Sequence, residues 1–410
     1  MNEERLRSLL REPPIPGGEE AERRGLEMVE ASFAERGGAE PPGAGRPALP
    51  RLAMALAIAT VVAALLLSAA GAAVRNWVDD VFTAGVPDAE PSLTEIPGGG
   101  RLLVQSAAGP WVVQPDGSRR LLGHYREATW SPRGLFVAVA SGRTLSAIEP
   151  DGTPRWSISA SAAVGEPRWS PSGFRIAYRS GATLRVIAAD GSGDGSLDPQ
   201  TESVSPVWSP QGLALLAYVG SGGTVRIVDT DSAAPVGSAP ALPGIRELEW
   251  AAGGSTLLEA SGSRLRLRQL IVYKLRDQLG IGSPRDVPLP AGARIRDAAL
   301  SPDGNTVAAL LTTGSAGSPR SVVVLADADG GARQVLFNTP GRLSELAWSP
   351  DGGRLLIAWP DADQWLFIPA EGRGRVHAIG DIAAQFSPGG RDAAFPRIEG
   401  WCCVATTGGG

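Results

Sequence analysis

The sequence predicts an all-β protein: a single β-propeller of four-stranded blades, seven or eight in number, behind one transmembrane helix and a short helical segment. Three observations point there. The first is a repeated turn. Trp130-Ser131-Pro132-Arg133-Gly134 returns as Trp169-Ser170-Pro171-Ser172-Gly173 and as Trp208-Ser209-Pro210-Gln211-Gly212. Weaker copies stand at Trp250-Ala251-Ala252-Gly253-Gly254 and Leu300-Ser301-Pro302-Asp303-Gly304, a full one at Trp348-Ser349-Pro350-Asp351-Gly352, and a last variant at Phe386-Ser387-Pro388-Gly389-Gly390. Their first residues step by 39, 39, 42, 50, 48 and 38, and such a period marks a repeat fold in which each copy is one supersecondary unit. The second observation is that short alternating apolar runs flank each copy. The third is an uncharged stretch of 23 residues, 52–74.

The chemistry of the repeat explains its position between strands. Proline sets φ for the first corner of a turn, and glycine takes the left-handed conformation that other residues avoid. Around the second copy, 166–169 leads in and 174–179 leads out, with 183–188 following after Ser180-Gly181-Ala182. Pro-x-Gly between such runs is a hairpin, and the serine hydroxyl can bond the turn backbone. The aromatic ends a strand at the same place in each unit. Burying one Trp removes ~150–250 Å² from water, roughly 4–6 kcal/mol as an upper bound. Trp130, Trp169, Trp208, Trp250, Leu300, Trp348 and Phe386 are therefore the expected anchors between units. Short strands, even spacing and one aromatic per unit suit a propeller.

A (Trp/Phe)-Ser-Pro-Asp/x-Gly turn followed by a Val/Leu-rich hairpin and an Asp-Gly turn resembles the TolB-like, WD-repeat-like propeller repeat. Gln114-Pro115-Asp116-Gly117 and Asp327-Ala328-Asp329-Gly330 match the closing turn. The resemblance covers residues 93–406. It implies the fold and leaves function open, because such propellers serve as binding platforms, envelope-complex subunits and peptidase accessory domains.

From the N-terminus, residues 1–50 read as a cytoplasmic segment: short charged helices over 1–12 and 19–36, then a Pro/Gly-rich linker. Leu26, Val29 and Phe33 fall at helical spacing, so 1–36 is either a solvated helical region or a docking segment for a cytoplasmic protein. Residues 51–75 read as a signal anchor, since 23 residues at 1.5 Å each span ~34 Å, enough for the hydrocarbon core. Arg36, Arg46 and Arg51 before it outnumber Arg75 after it, which keeps the N-terminus in the cytoplasm and sends the propeller outside. Ser68-Ala69-Ala70 and Ala70-Gly71-Ala72 resemble cleavage sites, but the leader before them is too long for an ordinary signal peptide. Residues 76–92 then form a tether, 93–406 the propeller and 407–410 a tail.

The propeller opens on a degenerate unit, Ile96-Pro97-Gly98-Gly99-Gly100, which brings the count of units to eight and slightly favours eight blades over seven. An N-terminal strand is expected to complete the last blade, whose own strands fall around Phe386, Ala393 and Trp401. Arg264, Arg266 and Arg268 alternate with leucines on one strand, as a solvated outer face or as a patch for an anionic partner.

Most candidate chemistry is weak. A net charge of −5 leaves no basic field for nucleic acid. His124 and His377 are isolated, no nucleophile elbow or phosphate loop is present, and no cofactor is implied. Asp190-Gly191-Ser192-Gly193-Asp194-Gly195 matches the front of a calcium loop but lacks the closing Glu, which favours a blade turn. Adjacent Cys402 and Cys403 point to opposite faces of a strand, so reduced, packed thiols are the simplest expectation; a vicinal bridge, which needs a turned peptide, and bonds to another chain are the rivals. Trp359, Asp361, Asp363 and Trp365 surround one hairpin. If exposed, they would hold a peptide or sugar; otherwise the tryptophans face the core. The function expected is a non-catalytic binding platform for a protein, peptide or glycan outside a membrane. Transmembrane signalling through 1–36 is the alternative, and a propeller hydrolase or lyase is a distant third.

Overall fold

The structure is a computed structural model that describes residues 89–403, apart from 211–213, 252–253, 274–277, 291, 316–317, 329–332 and 388–393. The expected cytoplasmic segment, membrane span, most of the tether and the tail lie outside these residues. Among the described residues no helix is long and apolar enough to cross a membrane. They form a single all-β propeller of seven four-stranded antiparallel blades. Blades 2 to 7 begin with the strands Glu127–Trp130, Val164–Trp169, Val207–Trp208, Ile245–Trp250, Arg294–Leu300 and Leu346–Trp348. Blade 1 begins with the last strand of the chain, Arg397–Cys402, which pairs with Arg101–Ser106. These seven first strands touch their neighbours in an unbroken ring and line the central channel.

Among the described residues the eighth blade expected from the sequence is absent, for a topological reason. Phe386 follows a short helix, Ile382–Gln385, and the next strand among the described residues is Arg397–Cys402, which completes blade 1. Phe386 is buried against Trp111 and Trp365, with ring centroids 5.8 and 5.2 Å away, but it does not end a first strand. Trp401 takes that place. Its Nε1 donates to the Gly99 carbonyl at 2.8 Å. Gly99 N–H in turn donates to the Ile96 carbonyl at 2.8 Å, as Gly134 N–H does to that of Ser131. One motif is thus split between the two ends of the propeller: Trp401 supplies the aromatic and Ile96-Pro97-Gly98-Gly99 the turn. Cys402 and Cys403 follow Trp401 and are joined as a vicinal disulfide, in place of the reduced pair expected. Cys403 has a φ of 60°, and that turned peptide brings neighbouring side chains to one side.

Within blades the motif works as its residues require. Ser131, Ser170, Ser301 and Ser349 are buried, and each hydroxyl accepts the N–H five residues on, at 2.9–3.1 Å. Motif tryptophans also staple blades together. Trp208 Nε1 donates to the Arg168 carbonyl of blade 3 at 2.9 Å, and Trp348 Nε1 to the Ala299 carbonyl of blade 6 at 3.1 Å. The apolar core lies between blades: one cluster joins Leu310 and Val323 of blade 6 to Trp348 and Leu366 of blade 7. The 50- and 48-residue steps in the repeat come from long strands. Blade 5 contains Leu265–Tyr273 and Gln278–Val287, and blade 6 contains Thr306–Ser315 and Ser318–Asp327.

This topology gives the disc two unlike faces. The Ser-Pro-x-Gly turns emerge on one. The second-to-third-strand hairpins and the blade-to-blade connections emerge on the other, the connecting face.

Candidate functional site

Strand direction places one residue, within or just before each first strand, toward the connecting face: the third before the motif aromatic. In five blades it is a carboxylate, namely Glu127, Glu166, Glu247, Asp297 and Glu345. Glu249 and Glu399 add two more acids to the same strands. Several of these groups brace one blade to the next by accepting a backbone N–H across the seam. Glu127 accepts from Glu166. Glu249 Oε2 accepts from Leu300 at 2.6 Å, Asp297 Oδ2 from Leu346 at 2.7 Å, and Glu345 Oε2 from Ile398 at 2.7 Å. Three arginines offset part of the charge. Arg179 pairs with Glu166 at 3.2 Å and Arg397 with Glu399 at 2.7 Å, while Arg168 Nη2 donates to Ser205 at 2.9 Å.

Glu247, Glu249, Asp297 and Glu345 keep partial access to solvent and are enclosed elsewhere, so burial, and for the three glutamates a neighbouring carboxylate as well, disfavours their charged forms. Burial, and then the charge of Asp297, push Glu249 up to about 8. Burial lifts Asp297 to about 6 and, with Asp297 adding to it, Glu345 to about 7. Glu247 is raised well above its ordinary value by burial, Asp297 and Glu249, against the pull of Arg168. A raised carboxylate keeps its proton in the folded state where the unfolded chain has released it. Its contribution to stability is full below the unfolded range near pH 4 and is lost as pH rises through the folded value. We therefore expect the propeller to melt at a higher temperature at pH 5 than at pH 8.5. Glu249→Gln, whose amide oxygen can still accept from Leu300, is expected to add roughly 1–3 kcal/mol at pH 8 and to flatten that slope. Stability that rises from pH 5 to pH 8.5 in the parent chain would overturn this reading of the channel.

The connecting face over blades 5 to 7 has the opposite sign. Two adjoining cavities of about 670 and 430 Å³ share Gly292 and Arg294. Arg264 and Asp286 line the larger, and Arg296, Arg342 and Thr312 the smaller. Two sequence candidates bear on this groove: Arg264 lines it, and Asp361 contacts one of its lining arginines. Arg264 stands in the second-to-third-strand turn of blade 5 and pairs with Asp286. Asp361 stands in the corresponding turn of blade 7, 3.8 Å from Arg342, whose N–H it also accepts at 2.9 Å.

The other candidates are placed elsewhere. Trp365 is fully buried and packs on Phe386 in the core. Trp359 is half-buried against the core between blades 6 and 7. Asp363 holds the N–H of Ala383 at 2.8 Å. Arg266 is bonded to Asp286 at 2.9 Å, and Arg268 is buried against Glu259. Arg264, Arg266 and Arg268 thus form neither a solvated outer face nor one patch, because a blade's flat faces are covered by neighbouring blades.

The Asp190 loop is a blade turn: Asp190 accepts from Ser192, and Asp194 is held by Arg185 and Tyr178. Among the described residues no group of three or more His, Cys, Asp or Glu is placed to hold a metal ion. The channel acids escaped the sequence reading, although a signal existed in the recurrence of Glu or Asp three residues before the repeat.

Comparison with known proteins agrees with this architecture. Residues 279–383 match the family model described as the lipoprotein LpqB β-propeller domain. Among solved structures, the β-propeller domain of Cps50 (Swd1) from Myceliophteria thermophila aligns with 17% identity and a TM-score of 0.52, over 66% of this chain and 94% of that one. Hsv2 from Kluyveromyces lactis aligns with 15% identity and a TM-score of 0.49, over 66% of this chain and 89% of that one. At such identity the likeness to Cps50 concerns the fold alone. A search of curated proteins finds no significant match.

Proposed function

We propose that this chain is a single-pass membrane protein whose extracytoplasmic propeller binds a protein, peptide or glycan without transforming it. The observation that carries this reading is the division of labour among its polar groups. Channel carboxylates are engaged as acceptors between blades, whereas arginines of blades 5 and 6 and of the connection to blade 7 gather along a groove on a flat face. The Ser-Pro-Asp-Gly turns support keeping the chain near TolB-like propellers. The uncharged stretch 52–74 and the arginines before it support the anchor and its orientation. The matched family's description as a lipoprotein domain supports an envelope setting. Leu26, Val29 and Phe33 at helical spacing favour a second reading, in which 1–36 relays binding to a cytoplasmic regulator.

Protease and membrane-impermeant crosslinker added to intact spheroplasts test both readings. Residues beyond 75 are expected to be digested and crosslinked while the N-terminal tail is spared. A protected propeller would refute the placement. Outside partners retained by a chain lacking residues 1–50 favour the platform, and a cytoplasmic partner lost with that deletion favours the relay.

A further inference from the structure

We propose that the arginine groove over blades 5 to 7 is a binding site for an acidic peptide segment carrying apolar side chains. The proposal rests on the platform reading and names the class of ligand it takes.

Charge is the first argument. Four arginines line the two joined cavities (Arg264, Arg294, Arg296 and Arg342) against one lining carboxylate, Asp286. Asp286 is shared between Arg264 and Arg266. Beyond it, the cationic surplus is little offset. Arg296 donates to Thr312 Oγ1 at 3.2 Å, a neutral partner. Arg342 reaches Asp361 only at 3.8 Å, with both side chains exposed. An exposed pair at that distance in water is weak and exchangeable, so a ligand carboxylate can replace it. A guanidinium presents paired N–H donors that fit a carboxylate in two-point contact.

Shape is the second argument. Leu265, Val287, Leu289, Pro290 and Ala293 line the larger cavity, giving an apolar floor beside Arg264 and Arg294. The smaller cavity continues past Arg294 to Arg296, Thr312 and Arg342. Apolar floor and cationic edge together fit a chain that carries both leucine-like and carboxylate side chains. Sugars are commonly held on aromatic platforms, and among the described residues no aromatic side chain lines either cavity. That weighs against an acidic glycan. Gly292, shared by both cavities, has a φ of 76° with open space where a Cβ would stand, which keeps the passage clear.

The test uses the full-length chain in detergent micelles and fluorescence anisotropy of three labelled twelve-residue peptides. One alternates Glu with Leu, the second has Gln for every Glu, and the third has Lys for every Glu. Polygalacturonate competes as the glycan arm. The Glu peptide is expected to bind at least tenfold more tightly than the other two, and to weaken as salt shortens the range of charge interactions. Arg294→Gln, Arg296→Gln and Arg342→Gln combined are expected to weaken it tenfold or more. Circular dichroism and an unchanged melting temperature establish that this variant is folded. Equal binding of the Gln peptide, or no loss in the triple variant, would overturn the proposal. Preferential, arginine-dependent binding of polygalacturonate would overturn the peptide assignment. If no acidic peptide binds while outside partners still crosslink to the triple variant on spheroplasts, the groove proposal fails and the platform reading stands.

Discussion

Trp348→Ala is expected to lower the stability of the propeller by about 3–5 kcal/mol, the range for deleting a buried aromatic and leaving a cavity. The indole is 8% exposed in a core shared by blades 6 and 7, and its N–H bonds to the Ala299 carbonyl of the preceding blade. Two further variants separate these contributions. Trp348→Phe keeps most of the apolar ring and removes the donor, so about 1 kcal/mol of the loss is expected to remain. Phe174→Ala removes an aromatic that is 76% exposed beside another copy of the motif and is expected to change stability by no more than about 0.5 kcal/mol. Denaturant midpoints measure all three. A Trp348→Ala midpoint equal to that of Phe174→Ala would mean that motif tryptophans do not staple the blades.

The propeller was legible because each motif encodes its structure locally. An aromatic ends a strand, Ser-Pro-x-Gly turns the chain, and the hairpin follows within ten residues, so no long-range information is needed. Blade number was not legible because ring closure is non-local. Phe386-Ser387-Pro388 looks like a motif at the right spacing, yet it lies between a short helix and the closing strand of blade 1. Trp401 lacks the Ser-Pro that would have identified it, since its turn lies three hundred residues earlier at Ile96-Pro97-Gly98-Gly99.

The channel acids show a different limit. Glu127, Glu166, Glu247, Asp297 and Glu345 hold a constant offset from the repeat, but the offset acquires meaning only once first strands are known to face the axis. The arginine groove was further out of reach. Arg264 comes from blade 5, Arg294 and Arg296 from the first strand of blade 6, and Arg342 from the connection between blades 6 and 7. The one run that did look like a basic patch is divided by the fold: Arg264 reaches the groove, whereas Arg268 goes inside.

That division leads to the other large effect. Arg268→Ala is expected to cost about 3–5 kcal/mol, the usual penalty for removing one partner of a buried ion pair. The Arg268 and Glu259 side chains are 4% and 0% exposed. Glu259 also accepts the Leu242 N–H at 2.6 Å, and the Arg268 guanidinium donates to the Pro240 carbonyl. Without Arg268, Glu259 keeps one hydrogen bond and loses the cation that offsets its charge. Arg264→Ala is the control, two positions from Arg266 on the same run. Its pair with Asp286 is about half exposed at both ends, and water-screened pairs contribute at most about 1 kcal/mol. Arg268→Met combined with Glu259→Leu removes both charges at similar volume and is expected to recover much of the loss. What remains, roughly 1–3 kcal/mol, would come from the Leu242 N–H left without its acceptor. If Arg268→Ala and Arg264→Ala unfold at the same denaturant concentration, Arg268 is not buried between blades, and the run from Arg264 to Arg268 returns to being a solvated surface.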